Sequence, residues 1–388
     1  MTLARTAYRV VIVGGGVLGL YTAHHLHRAG VGPILVLDRG RLSAGGSGRN
    51  GGGIRQQWET RSTIRLAREA VAAYRRFPSE FGHNVWFRQG GYLFLAESAP
   101  ELERLARVRE AARAEGLDVR LLGVPEIERL VDGIVPGACL GGSYLATDGT
   151  LYPYPVLWGL LEELRRAGVE VAYGVEATGV TRDDRGRLNG VLTSEGLRST
   201  PAVVNAAGGW AGEFSRRCGL EAPNVATRHE IFATEPMKPF LDPMVVRVSD
   251  GLYFSQSMRG ERVGGRTVAH RPGTDGGVPS SARFVTSMAR ALVGLLPRLA
   301  GLGVLRAWAG FYDDTPDGLP LIGEDPRLPG FVHANGFGGH GFMLAPSASR
   351  RVAGAVLGET TDLDPQEFAP GRFLTRGVAP RSERLQLG

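Results

Sequence analysis

The run Tyr8–Val13, rich in β-branched residues, passes at once into Gly14, Gly16 and Gly19, and this juncture constrains the fold more than any other part of the chain. Such a run reads as a parallel strand buried on both faces. Apolar residues then recur at helical spacing through Leu18, Leu20, Ala23 and Leu26 up to Gly30, and a second run, Ile34–Leu37, ends in Asp38. Strand, G-x-G-x-x-G, helix, strand and acid, in that order, is what a βαβ dinucleotide site requires. Gly14 permits the tight turn, Gly16 lets backbone approach a pyrophosphate, and Gly19 lets helix and strand pack closely. The helix N-terminus then faces the phosphates. Asp38 stands where a carboxylate accepts hydrogen bonds from an adenosine ribose, with Arg39 beside it.

The segment after the acid, "RGRLSAGGSGRNGGGIRQQW", is too rich in Gly and Ser to be the crossover helix of a simple NAD domain. It reads as the wall of a longer ligand, with backbone amides and the Ser43 and Ser47 hydroxyls along a pyrophosphate and ring, and Arg49 and Asn50 at the ring's edge. A helix is predicted from about Pro155 to Ala167, then a strand leading to Ala177; a buried strand, Ala202–Asn205, runs into the small-residue turn Ala206, Ala207, Gly208, Gly209. Near the end, "GFVHANGFGGHGFMLAPSASRRVAGAVLGE" reads as strand, glycine turn and helix. Gly338, Gly339, Gly341, Phe342 and Met343 would then meet the pyrimidine edge of a flavin, whose negative charge the helix dipole stabilises. Pro346 is tolerable there only within about the first turn. These segments together point to FAD and an α/β fold.

Composition narrows the class. The net charge is +6, yet Lys238 is the only lysine, and Arg alternates with Glu in runs such as "ELERLARVREAARAEG". That is a solvated helix face, not the clustered basic and aromatic pattern of a nucleic-acid binder. Cys139 and Cys218 stand alone and outside any C-x-x-C spacing, so neither a disulfide framework nor a metal site is indicated, and a cytoplasmic setting is expected. The apolar N-terminal run is short and broken by glycines, unlike a membrane span.

Taken together, "VVIVGGGVLGL", "SGRNGGGIRQQW", "VVNAAGGWAGEF", "TPDGLPLIG" and "NGFGGHGFMLAP" resemble the D-amino-acid-oxidase-like FAD superfamily over nearly the whole chain. "GIRQQW" and "GFGGHGFMLAP" look most like the β-subunits of heterotetrameric sarcosine oxidase and dye-linked L-proline dehydrogenase, and glycine oxidase is similar among single-chain enzymes. The resemblance implies a Rossmann-like, GR2-type FAD-binding domain and an α+β substrate domain built on a mixed β-sheet. It implies oxidation of a small amine or amino acid such as sarcosine, glycine, proline or a D-amino acid, by hydride transfer from the α C–H to flavin N(5). The imine formed is hydrolysed by water. Oxygen or a partner redox subunit or quinone would take the electrons, and a hetero-oligomer is compatible with the β-subunit likeness.

Departures from the pattern matter. Monomeric sarcosine oxidase tethers its flavin through a cysteine where this chain has Gly310, so non-covalent FAD is expected. A lysine that holds the substrate carboxylate in relatives is Met343 here, and the basic residue nearest to a second, oxygen-linked lysine is Arg262. Arg55 is therefore the first candidate for the substrate carboxylate, since guanidinium is a planar, permanently charged fork. Tyr253 falls where relatives place an aromatic over the substrate, and His340 lies in the glycine turn; core packing and capping are their plain structural alternatives. His229 and Glu230 are weaker candidates for the same cavity. The FAD domain is expected from residues 1–85, 146–215 and 305–388, and the substrate domain from 86–145 and 216–304. The tail after Phe368 is expected to be loose or partner-bound. Rival readings are an FAD-dependent 2-hydroxy acid or glycerol phosphate dehydrogenase and a non-catalytic FAD-carrying subunit; an NAD-dependent dehydrogenase would leave the glycine-rich segments unexplained.

Overall fold

The computed structural model describes residues 3–268, 273–274, 278–374, 383 and 385. Its six-stranded sheet runs Leu321–Glu324, Phe331–Asn335, Val203–Asn205, Val10–Val13, Ile34–Asp38, Glu170–Tyr173, and all neighbours are parallel except the first pair. Alternate residues of the central strands supply two different cores. Val10, Ile12, Ile34 and Val36 pack under the helices Val17–Arg28, Arg61–Phe81 and Gly341–Leu357, whereas Val11, Val13, Leu35 and Leu37 face the antiparallel sheet formed by Ala177–Arg182, Leu188–Thr193 and Gly196–Ser199. Burial on both faces is why these strands read as unbroken apolar runs.

A second, eight-stranded mixed sheet runs Val304–Asp314, Val225–Thr234, Arg262–Gly265, Tyr253–Gln256, Met244–Arg247, Tyr92–Ala96, Gly141–Leu145, Arg120–Leu122. The helices Ala99–Ala114 and Ala282–Leu295 pack on opposite faces of it, Leu105 and Val108 against the side of Tyr92, Phe94 and Val246, and Phe284, Met288 and Leu292 against the side of Leu93, Leu95 and Val245. The observed architecture is thus α/β with mixed sheets. One boundary differs from the sequence expectation. Val304–Asp314 pairs along its length with Val225–Thr234 and so belongs to the eight-stranded sheet, although the turn motif that directly follows it, "TPDGLPLIG", leads back to the six-stranded one. The predicted helix from about Pro155 spans Pro153–Arg166.

Pro346 lies deeper than the first turn of Gly341–Leu357 and removes the donor that would reach the carbonyl of Phe342. The Tyr74 hydroxyl takes that role, donating to Phe342 O at 2.5 Å from the neighbouring helix. Tyr74→Phe leaves this buried carbonyl unpartnered and is expected to cost about 1–3 kcal/mol, read as a lower midpoint in thermal unfolding. The described part of the tail is also not loose. Arg372 is buried in an ion pair with Asp317 at 2.8 Å, and Glu383 and Leu385 are buried within the chain; the other tail residues, 375–382, 384 and 386–388, lie outside the described residues. Paired charges and apolar side chains in a stretch that looks like a polar tail are the reason for the difference.

Candidate functional site

A long cleft of about 2080 Å³, counting its open mouth, runs across the C-terminal ends of the parallel strands and on beneath the eight-stranded sheet. In open parallel sheets ligands bind at this position. At one end Asp38 accepts from Gly15 N at 2.9 Å and from Gly40 N at 2.7 Å, which fixes the carboxylate at the strand tip. Arg39 beside it stacks over the Trp210 ring, 4.5 Å from the centroid.

Next along the cleft, Gly14–Val17 bring bare backbone and a helix N-terminus to the wall. Gly14 has φ +116°, and a Cβ there would stand 2.1 Å from the carbonyl oxygen of Ala206; a Cβ on Gly19 would stand 1.9 Å from Gly14 O. Only glycine allows the first strand, the Ala206–Gly209 turn and the first helix to meet this closely. Ser47 accepts from Val17 N at 3.0 Å, so the glycine-rich segment is pinned to the helix start. Asn50 closes its own turn through Ser47 O and Gly52 N, while Arg49 donates to Ala44 O and Ala309 O and thereby ties the same segment to the second sheet. Ala177, Ala207 and Gly208 line the cleft opposite.

Gly338, Gly339, Gly341, Phe342 and Met343 line it further along, where the helix Gly341–Leu357 begins. Two helix N-termini therefore face one elongated cavity, a setting suited to an anionic dinucleotide. Gly310 lines the cleft where a tethering thiol would stand, so these residues fit FAD held without a covalent bond.

The far end is aromatic. Tyr253 and Tyr312 both line the cleft, and both phenols are pushed up chiefly by burial. Tyr312 in turn stacks on His229 with ring centroids 3.7 Å apart. Tyr312 was missed in the sequence, where nothing marks it; His229 and Ile231 both line the cleft while Glu230 is buried on the opposite face against Ser281, as period-two alternation in a strand dictates. Arg262 is not at the cleft. It is buried over Phe240, 4.4 Å from the ring centroid, and donates to Gly260 O.

Arg55 and His340 lie one layer behind the cleft wall. Arg55 is fully buried, with its guanidinium 3.9 Å from the Trp58 ring centroid. It contacts His340 Nε2 at 3.1 Å and donates to Leu385 O at 2.5 Å, while its Nε has no partner. Among the described residues no carboxylate lies within ion-pair distance, and burial holds its pKa below the usual value. Acids do stand nearby. Asp148, bound by Gln56 and Gln57, and Glu383 are each pushed up to about 7, chiefly by burial, and so is Asp313 in the cleft floor.

These three carboxyls make stability depend on pH. Each is harder to ionise in the folded chain than in the unfolded one, where such groups titrate near 4, so the folded state holds the extra protons. Their contribution is whole below about pH 4 and is lost as pH rises through about 7. The melting temperature is expected to fall between about pH 5 and pH 8, and Asp148→Asn to flatten part of that slope in calorimetry; a profile rising over this range would contradict the assignment.

No helix among the described residues is long and apolar enough to cross a membrane, and no group of three or more His, Cys, Asp or Glu there could hold a metal ion. A family model described as FAD dependent oxidoreductase, DAO, matches residues 9–355. The chain is 29% identical over 385 residues to sarcosine oxidase subunit beta of Rhodobacter capsulatus, covering 96% of this chain and 91% of that one. It is 28% identical over 373 residues to glycine oxidase of Pseudomonas putida, covering 93% and 98%. Its structure matches that of L-proline dehydrogenase from P. horikoshii with a TM-score of 0.88 and 29% identity, covering 94% and 97%. A strand-glycine-helix start, a second glycine-lined helix start and a match that spans the cleft from end to end agree: this chain belongs to the DAO family of FAD-dependent oxidoreductases and is an enzyme that uses FAD.

Proposed function

We propose that this enzyme oxidises a small amine that carries a carboxylate, of the sarcosine, glycine, proline or D-amino acid type. The observation that carries the reading is Arg55, a buried cation one layer behind the aromatic end of the cleft with no carboxylate at ion-pair distance among the described residues. An uncompensated buried charge is costly, and a site that keeps one is suited to a ligand that neutralises it. A substrate carboxylate on the guanidinium fork fits, with His340 holding the other side of that fork in place. Tyr253, Tyr312 and His229 would form the wall that orients the amine-bearing carbon and excludes water. FAD, when bound, supplies the hydride acceptor, so the chain needs only to hold the C–H bond within about 3–3.5 Å of it and to favour the neutral amine.

Relatives named as sarcosine oxidase, glycine oxidase and L-proline dehydrogenase support the amine class over a hydroxy acid. Those named as β subunits support a hetero-oligomeric setting, with oxygen, a partner redox subunit or a quinone as the electron acceptor. The test is anaerobic mixing of the yellow protein with sarcosine, glycine, L- and D-proline, other D-amino acids, lactate and glycerol 3-phosphate while flavin absorbance is followed. Bleaching by one or more amino acids and by neither hydroxy compound is expected. Bleaching by lactate or glycerol 3-phosphate alone, or by nothing, would overturn the reading.

A further inference from the structure

Asp313 is an acid in a cleft suited to an anion. It lies near the end of the strand Val304–Asp314, is buried, and lines the cleft floor. Its carboxylate accepts from Gly336 N at 2.6 Å and from Asn224 Nδ2 at 2.8 Å, and its backbone carbonyl accepts from Gly338 N at 2.9 Å. One residue thus grips the turn before the helix Gly341–Leu357 at two points, and both gripped glycines have positive φ, +75° and +56°. Asn224 Nδ2 also reaches Asn335 Oδ1 at 3.3 Å, and Asn335 donates to Asn205 O at 3.0 Å, next to the Ala206–Gly209 turn. The carboxylate therefore ties together the two turns that wall the cleft. The charged or titratable groups on the elements packed around it are Asp314, Arg228 and His229 on the strand pair, Arg216 near Asn224, and His333, which is bound to Asp325. Among the described residues no cation is paired with Asp313, and its carboxyl is pushed up chiefly by burial, with Gly336 N and Asn224 pulling it down and Asp314 adding to the rise.

From this placement we infer that Asp313 is a positioning residue for the flavin whose own proton is coupled to flavin reduction: it holds the glycine turn that frames the cofactor, and as a carboxylate it opposes the negative charge that a hydride brings. Two negative charges in one desolvated site disfavour each other, so each raises the proton affinity of the other. Reduction by substrate or by a reduced dye puts two electrons and one proton on the flavin. Where Asp313 is ionised, its carboxylate then gains a proton from water, forming one O–H bond and cancelling one charge. The inference uses only the FAD assignment and stands whatever the substrate is.

The test compares the FAD-loaded enzyme with Asp313→Asn, which keeps an acceptor for Gly336 N but carries no titrating charge. Flavin potentials are measured by equilibration with reference dyes, with no substrate present. The two proteins are expected to agree at about pH 5.5, where Asp313 is protonated in both redox states, and to diverge above about pH 7 until reduction of the variant is about tenfold more favourable, about 30 mV for a two-electron couple. Reduction of the wild type at about pH 7.5 is expected to take up about half a proton more per flavin than reduction of the variant, read with an indicator dye in weak buffer. A purely structural role would shift the potential equally at every pH and leave proton uptake unchanged. That result, or potentials that coincide throughout, would overturn the inference. If the variant does not retain FAD, the wild type alone decides: uptake about half a proton greater at about pH 7.5 than at about pH 9.5 supports the coupling, and equal uptake overturns it.

Discussion

Arg55→Met is expected to lower kcat/KM for the amino-acid substrate by about 10²–10³-fold while leaving the bound flavin in place and the melting temperature unchanged or raised. Losing one partner of a buried, hydrogen-bonded charge pair costs about 2–5 kcal/mol of binding, which is the source of that range. The opposite sign for stability follows from the resting structure, in which the guanidinium has no carboxylate partner among the described residues and an unpartnered Nε. Replacing such a charge by an apolar chain of similar length removes a desolvation penalty and fills the space between Trp58 and Phe94. Arg55→Lys keeps the charge but not the planar fork, so an intermediate loss is expected. Steady-state kinetics, flavin absorbance and calorimetry on the three proteins check the pattern. A kcat/KM within about threefold of wild type for Arg55→Met would remove Arg55 from the substrate site, since even a modest buried contact exceeds that.

Gly14→Ala is expected to yield protein that no longer retains FAD and is destabilised by about 3 kcal/mol or more, the combined scale of backbone strain and overpacking. Its φ of +116° disfavours any side chain, and the added carbon would stand 2.1 Å from Ala206 O, between the first strand and the turn that walls the cleft. The strand, the turn and the helix start would have to separate, and these surfaces frame the cofactor. Gly30→Ala is the matched control: its φ is also positive, +78°, but a Cβ there meets nothing within 4 Å. It is expected to cost about 1 kcal/mol and keep the yellow colour. Equal behaviour of the two variants, in flavin absorbance and melting temperature, would show that the close approach at Gly14 does not matter.

The nucleotide half of the site was legible because its chemistry is carried by backbone. A tight turn, a close approach and a helix start need glycine at fixed spacing, and those spacings are local in the sequence, as at Gly14, Gly16, Gly19 and Gly338–Gly341. The run of apolar residues in Val10–Val13 likewise announces a strand with no solvent face. What the chain order alone left open is how distant side chains meet. Tyr312 against His229, Leu385 against Arg55 and Glu383 against the start of a helix are each brought together across long separations, with no spacing rule linking them. The same holds for Arg262, whose place in the sequence suggested the cleft and whose side chain turns to Phe240. Local pattern therefore determined the strands, the glycine turns and the FAD frame. Only tertiary packing decided which cation is sealed with no described anion against it, because desolvation and charge compensation belong to the folded surroundings of a residue and not to its neighbours in the chain.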